Sequence, residues 1–358
     1  MQKKNRYYFM YLNTIISSFA VVVLHTVANP DSFGIKTDHF SFYPVLFILI
    51  GILFSFGVPI FFMQSGANVL TYRERYSTKT FVKKRVHKVV IPFLLWSILG
   101  FIFLHNNQLG SINGLNFLKG FISGNIVGPY WFFYNIIGFY LCVPFMSIIT
   151  EKGNARLVRY MIIIALIYNT ILPIVDLILG TSNMFNPSIP LVGAYLQYFL
   201  AGWYIVNISI KPRIRKLIYI LATIMLALEI VMTIIFTIFI PHLQRLTYPG
   251  EIVKNFADIG NLPAFICMCA LFLALKNAEP YIIGWHLSSY LPTLAGLTFG
   301  IYLVHPFVIN YLLNPMQPLL LQVPLIFKIL LYPIFVYFIS GIITFLIRKI
   351  PFVRNIMP

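Results

Sequence analysis

Residues 217–240 read LIYILATIMLALEIVMTIIFTIFI, an apolar run with a single charged side chain, Glu229. At about 1.5 Å per residue, a helix of this length exceeds the roughly 30 Å hydrocarbon thickness of a bilayer. The stretch therefore predicts a membrane-spanning helix. Glu229 lies near its centre, where a carboxylate must face a partner, face a cavity or be protonated, and the sequence assigns it no role.

The rest of the 358-residue chain has the same character. Hydrophobic residues make up 59% and charged residues 10%, with a mean hydropathy of +0.85. A soluble domain carries about 25% charged residues, so a soluble enzyme is excluded. The 34 Phe and 22 Tyr supply ample surface for packing, which excludes a disordered chain. The composition predicts an all-α integral membrane protein.

Apolar runs recur along the chain between short polar joints, and about ten of them are long enough to be transmembrane helices. No joint can hide a soluble domain, so we expect residues 1–358 to form a single membrane-embedded domain. The predicted spans are 8–28, 43–70, 89–104, 130–149, 160–179, 190–208, 217–240, 259–276, 290–312 and 324–347.

The formal net charge of +17 is explained by the orientation of the chain in the membrane. Of the 26 Lys and Arg residues, 21 lie in one set of alternate joints and five in the other. Basic residues collect in cytoplasmic loops, so both termini are predicted to be cytoplasmic and the number of spans even. No nucleic-acid partner is needed to explain the charge. Cys142, Cys267 and Cys269 are an odd set inside apolar runs, and neither a disulfide framework nor a metal site is expected.

Two histidines lie within predicted spans. His25 ends the segment IISSFAVVVLH near the outer end of the first span, and His305 lies in TFGIYLVHP before Pro306. An imidazole accepts and returns protons near neutral pH, so His25 is a candidate general base. The alternative is a histidine that only hydrogen-bonds a neighbour. Pro306 weakens or kinks its helix, and His305 receives no assigned step.

The joint YRERYSTKTFVKKRVHKVVIP, residues 72–92, is the most basic segment of the chain. Arg85 and Lys88 are three residues apart and share one face of a helix. Their guanidinium and ammonium groups suit a phosphate, although the segment taken by itself favours a positive-inside anchor. Just before this joint, FFMQSG places Ser65 and Gly66 at a helix end or at a close-packing site.

The segment PYWFFYNIIGFYLCVP, residues 129–144, opens with clustered aromatic side chains. Such clusters are typical of an interfacial belt. Tyr130 and Trp131, at the outer end of the fourth predicted span, also have rings that can stack on a sugar. Both interpretations, the interfacial belt and the sugar-binding residues, stay open.

In this order, YLNTIISSFAVVVLH, FGVPIFFMQSG, TFVKKRVHKVVIPFLLW, WFFYNIIGFYL and FGIYLVHP resemble the acyltransferase 3 family, from about residue 7 to 348. That family includes bacterial surface-polysaccharide O-acetyltransferases and the intercellular adhesin modification protein. The resemblance implies transfer of an acyl group, expected to be acetyl, from cytoplasmic acyl-CoA to a hydroxyl of an extracytoplasmic carbohydrate. It implies a multi-pass protein of the bacterial cytoplasmic membrane that uses no metal.

The resemblance also implies site residues. We hypothesise that His25 is the general base or a transient acyl carrier and that Arg85, Lys88 and Ser65 bind the acyl-CoA. Tyr130 and Trp131 are the candidate acceptor residues, with an aromatic belt as the alternative. The partners are a surface glycan and membrane lipid, and a homo-oligomer is left open.

Three positions depart from the family pattern. Thr14 stands eleven residues before His25, where the family usually carries Arg, and the neighbouring Asn13 would fit only with one extra residue. The paired-Arg motif becomes Arg85 with Lys88, and Ala67 replaces an aromatic residue. Two alternatives to an active enzyme remain: a polysaccharide or lipid-linked glycan exporter, and an inactive accessory subunit suggested by Thr14.

Overall fold

The computed structural model describes residues 7–27, 33, 42–104, 111–151, 153–179, 195–238, 261–320, 322–351, 353, 356 and 357. This part of the chain is helical and contains no strand. Seven of its helices are long and apolar enough to cross a membrane, and Leu262–Asn277 is a shorter apolar helix. The prediction of an all-α membrane protein is confirmed.

The described residues form sixteen α-helices, numbered in chain order. They are α1 Tyr8–Val27, α2 Phe42–Phe54, α3 Gly57–Val69, α4 Thr78–Arg85, α5 Ile91–Phe103, α6 Gly114–Ser123, α7 Trp131–Glu151, α8 Ala155–Leu166, α9 Leu172–Leu179, α10 Leu196–Asn207, α11 Pro212–Ile238, α12 Leu262–Asn277, α13 Glu279–Gly284, α14 Leu291–Val308, α15 Asn314–Met316 and α16 Leu325–Lys349. Single π-helical turns at Val86–Val90, Ile167–Ile171 and Ile309–Leu313 continue α4 into α5, α8 into α9 and α14 into α15.

Each predicted span contains a helix, but two boundaries differ in an informative way. The third span begins at Thr78 and not at residue 89, so the second half of the basic joint is helical. Ser77 caps its first turn by accepting a hydrogen bond from the backbone N–H of Thr80. The second span is divided at Ser55 and Phe56 into α2 and α3. The number ten and the cytoplasmic termini stay predictions, and the joint at 241–258 lies outside the described residues.

Helix α3 packs against α10 almost backbone to backbone. A Cβ atom on Gly66 would overlap the carbonyl oxygen of Phe199, and one on Gly202 would overlap that of Met63. Small residues allow membrane helices to approach this closely. Of the two interpretations of Ser65-Gly66, the structure therefore supports the close-packing site.

Helix α1 lies at the centre of the bundle and packs against α3, α14 and α16. Its first turn is fixed by Glu279 of α13, whose carboxylate oxygens accept from the backbone N–H groups of Tyr8 (2.8 Å) and Phe9 (2.5 Å). A carboxylate at a helix N-terminus satisfies free N–H groups and complements the helix dipole. The end of the bundle at Tyr7 is called the basic end below, and the opposite end of α1 the histidine end.

Helix α11 presents exposed apolar side chains along most of its length, including Ile220, Ile224, Leu228 and Val231. Such a surface suits lipid contact. Glu229 faces the opposite way and is 6% exposed.

Candidate active site

A cavity of about 520 Å³ lies between α1, α3, the α4–α5 helix, α7 and α14. Its polar lining includes Thr14, Gln64, Ser65, Asn68, Arg85 and Lys88. Its aromatic lining includes Tyr11, Phe61, Phe132, Phe133, Tyr140, Phe299 and Tyr302. The cavity thus combines cationic groups with an aromatic wall, which suits a ligand that is anionic at one end and apolar at the other.

The cation of Arg85 is held in place by aromatic rings. Its guanidinium carbon lies 5.4 Å from the ring centroid of Phe81 and 5.2 Å from that of Tyr140. Its Nε is buried and has no hydrogen-bond partner within the described residues. A desolvated guanidinium N–H without an acceptor is unfavourable. The group is therefore oriented and short of an acceptor, as expected of a site for an anion.

Lys88 lines the same cavity and is exposed. In the part of the chain that the structure describes, no carboxylate pairs with Arg85 or Lys88. Two other arginines donate hydrogen bonds to groups of the protein. Arg73 donates to Ser147 Oγ (2.9 Å) and the Pro144 carbonyl (3.2 Å), and Arg348 donates to the Gly296 carbonyl (2.7 Å). The two predicted phosphate-binding residues differ from these in bordering the cavity.

Ser65, the third predicted acyl-CoA residue, also lies at this cavity. Its hydroxyl donates to the hydroxyl of Tyr140 (3.2 Å), and the Tyr140 ring packs on Arg85. The structure therefore brings three residues from different elements to one cavity. Ser65 comes from α3, Arg85 from the end of α4, and Lys88 from the π-helical turn Val86–Val90.

Thr14, where the resemblance led us to expect an arginine, is hydrogen-bonded to Gln64 in the cavity wall. The Gln64 amide donates to the Thr14 hydroxyl (2.9 Å) and to the Met10 carbonyl (2.5 Å). Thr14 itself donates to the Met10 carbonyl (2.8 Å). The neighbouring Asn13 has a different environment. It is fully buried, and both of its side-chain polar atoms lack hydrogen-bond partners in the described part of the chain. A neutral hydrogen-bonded pair thus occupies this part of the cavity lining.

His25 lies at the histidine end and does not line the cavity. It is eleven residues beyond Thr14, or about 16 Å along the helix. Its exposed ring stacks on the buried ring of His305 with centroids 5.2 Å apart and an interplanar angle of 28°. The ring of Tyr302, which does line the cavity, is 5.6 Å from that of His305. Tyr302 and His305 therefore connect the cavity to His25.

The predicted acceptor residues Tyr130 and Trp131 have different surroundings. Tyr130 is 2% exposed, packs against Phe93 and Phe133, and donates its hydroxyl to the Leu303 carbonyl (2.7 Å). Trp131 is half-buried and packs on Tyr195 with ring centroids 5.6 Å apart. Sugar stacking stays a prediction for both residues, and Tyr130 would first have to leave this cluster.

Sequence reasoning did not assign roles to Gln64, Tyr302 or His305. Gln64 precedes Ser65 in FFMQSG. A polar amide within an apolar run indicates a candidate functional residue, so Gln64 could have been selected from the sequence. Tyr302 and His305 are three residues apart in FGIYLVHP, a spacing that places both side chains on one face of a helix. Only the structure shows that this face meets α1.

These observations define a class: a helical membrane protein with a cavity whose cations pair with no carboxylate of the described residues. The acyltransferase 3 family model, described as an acyltransferase domain, matches residues 15–348, nearly the whole chain. The protein belongs to this family and is a multi-pass membrane acyltransferase. No curated protein and no solved structure matches the chain.

Proposed function

We propose that the protein transfers an acyl group, most simply acetyl, from acyl-CoA bound at the basic end to a carbohydrate hydroxyl at the histidine end. The basic end would face the cytoplasm of a bacterial cell, and the acceptor would be a surface glycan. The observation that carries this proposal is the cavity with Arg85 and Lys88 at its wall and no carboxylate pairing with them in the described residues.

The lining fits the chemistry of acyl-CoA. Guanidinium and ammonium groups form charge-assisted hydrogen bonds with phosphate oxygens. The neutral arm and thioester of the donor would contact the aromatic side chains Phe61, Phe132 and Tyr302. Ser65 and Gln64 supply hydroxyl and amide groups to the same space. If Arg85 and Lys88 served only as membrane anchors, they would not need to share a cavity with polar and aromatic side chains.

The reaction assigns His25 the role of general base. His25 takes the proton of the acceptor hydroxyl as its oxygen attacks the thioester carbonyl. The new C–O bond forms, the C–S bond breaks, and the CoA thiolate takes up the proton from His25. Because Tyr302 and His305 stand between the cavity and His25, the acyl arm has to pass them to reach the base.

Purified protein in detergent incubated with radiolabelled acetyl-CoA tests this function. We expect release of free CoA together with labelling of an added surface-glycan fraction. The matched control is His25→Gln, which should bind acetyl-CoA without transfer. Absence of CoA release by folded wild-type protein with every acceptor fraction would favour the exporter or the inactive accessory subunit. The exporter has weaker support, because it needs a continuous polar path and eight of the nineteen residues that line the cavity are aromatic.

A further inference from the structure

His305 is buried in an unusual way for a histidine that only fills space. It is 0% exposed, and its Nδ1 lies 3.3 Å from the Ile301 carbonyl oxygen. Since a carbonyl oxygen only accepts, we assign the ring proton to Nδ1. Nε2 is then an acceptor, and it has no hydrogen-bond partner in the described part of the chain. Packing alone would favour an apolar ring here, because a buried acceptor without a donor is unfavourable.

The facing helix α1 places His25 against His305. Its ring stacks on the His305 ring with centroids 5.2 Å apart, and the residue as a whole is exposed. His25 makes no hydrogen bond through its ring within the described residues. Neutral His25 has one N–H, but the imidazolium formed when it takes a proton has two. A second N–H donor therefore appears on the ring that stacks on His305 only during the reaction.

Three carboxylates whose side chains the structure describes, those of Glu74, Glu229 and Glu279, do not provide an alternative partner. Glu279 is bound to the first turn of α1, at the opposite end of that helix. Glu74 follows α3 at the basic end, in the 72–74 turn. Glu229 lies on α11, which packs against α12 and α2. Among these groups and His305, only His305 contacts His25.

We propose that His305 is a positioning residue for His25: its ring face sets the orientation of the neutral imidazole, and its Nε2 accepts a hydrogen bond from the His25 imidazolium. The bond forms when the His25 ring rotates out of the stack after taking the acceptor proton, and it breaks when the CoA thiolate takes that proton back. His305 itself gains and loses no proton. This inference rests on the proposed function, since it assumes that His25 is the base.

His305→Phe is the decisive variant, because it keeps a buried aromatic face and removes only the ring nitrogens. We expect kcat for acetyl transfer to fall about ten- to hundredfold, the effect of losing one charge-assisted hydrogen bond. KM for acetyl-CoA and its binding should be unchanged, and the thermal midpoint should stay equal or rise. His305→Gln, which places an amide oxygen or nitrogen near the position of Nε2, should recover most of the rate.

Two controls separate the outcomes. His286→Phe makes the same change at an exposed histidine outside the cavity and should leave kcat unchanged. If His305→Phe keeps the wild-type kcat while His25→Gln is inactive, this inference fails and the proposed function stands. If kcat and the thermal midpoint of His305→Phe fall together and His305→Gln recovers neither, His305 is a packing residue. Wild-type protein that transfers nothing would overturn the proposed function itself.

Discussion

Replacing His25 by Gln removes a titrating ring nitrogen and keeps a polar side chain of similar length. A general base contributes about 10²–10⁴-fold to a rate. We therefore expect His25→Gln to be expressed and to bind acetyl-CoA, with acetyl transfer reduced at least about a hundredfold. Since His25 is exposed and lies outside the cavity, donor affinity should not change. Near-normal transfer to the native acceptor would show that His25 is not the base.

The pair Arg85 and Lys88 is tested by binding. Charge-assisted hydrogen bonds contribute about 1.5–3 kcal/mol each, so replacing both residues by Gln should weaken acetyl-CoA binding by a few kcal/mol. The measurement is a titration of detergent-purified protein by calorimetry. The matched control, Lys79→Gln with Lys83→Gln, removes the same charge from exposed positions of α4 that do not line the cavity. Equal affinities for the two double variants would return Arg85 and Lys88 to the role of membrane anchors.

At the scale of the elements, the contact between α3 and α10 depends on two glycines. Gly66→Ala would place a methyl group on the Phe199 carbonyl oxygen, and neither backbone can move without displacing its helix. Overpacking costs about 1–3 kcal/mol, so we expect a lower thermal midpoint in detergent. Gly138→Ala is the control, since the new Cβ has nothing within 4 Å and Ala favours the helix. Equal midpoints for both variants would contradict the close-packing interpretation.

The same contact shows which elements the sequence could predict. Helix positions follow from local properties, because each apolar run of about 20 residues must satisfy its own backbone in the membrane. The start of α4 at Thr78 is also local, since Ser77 is a good cap. The contact between Gly66 and Phe199 joins residues that are far apart in the sequence. Gly202 comes from a distant part of the chain, and neither flanking sequence specifies the other.

The candidate site divides in the same way. Arg85 and Lys88 were identifiable because their charges lie at neighbouring helical positions. The two rings that hold Arg85 come partly from α7, and the stack of His25 on His305 joins the first transmembrane helix to α14. These contacts arise from helix packing, so the sequence indicated the chemical groups without showing which of them meet. The burial of Tyr130 against Leu303 is a contact of the same kind.

For the whole molecule, orientation in the membrane decides whether the proposed donor can reach its cavity. The cavity borders α4, which belongs to the joint that carries seven of the Lys and Arg residues within 73–88. The positive-inside rule predicts that this end faces the cytoplasm, the side from which the proposed acyl-CoA would enter. Ser77 lies at this end, exposed before α4, and Ser111 lies exposed in the joint between α5 and α6.

The test uses single cysteines at these two serines, in a protein whose Cys142, Cys267 and Cys269 have been replaced. In intact cells a membrane-impermeant thiol reagent should label Ser111→Cys and leave Ser77→Cys unmodified, while both should react after the membrane is permeabilised. The reaction after permeabilisation is the control for accessibility of each thiol. Labelling of Ser77→Cys alone in intact cells would reverse the bundle, put Arg85 and Lys88 on the outer side, and leave a cytoplasmic acyl-CoA with no route to them.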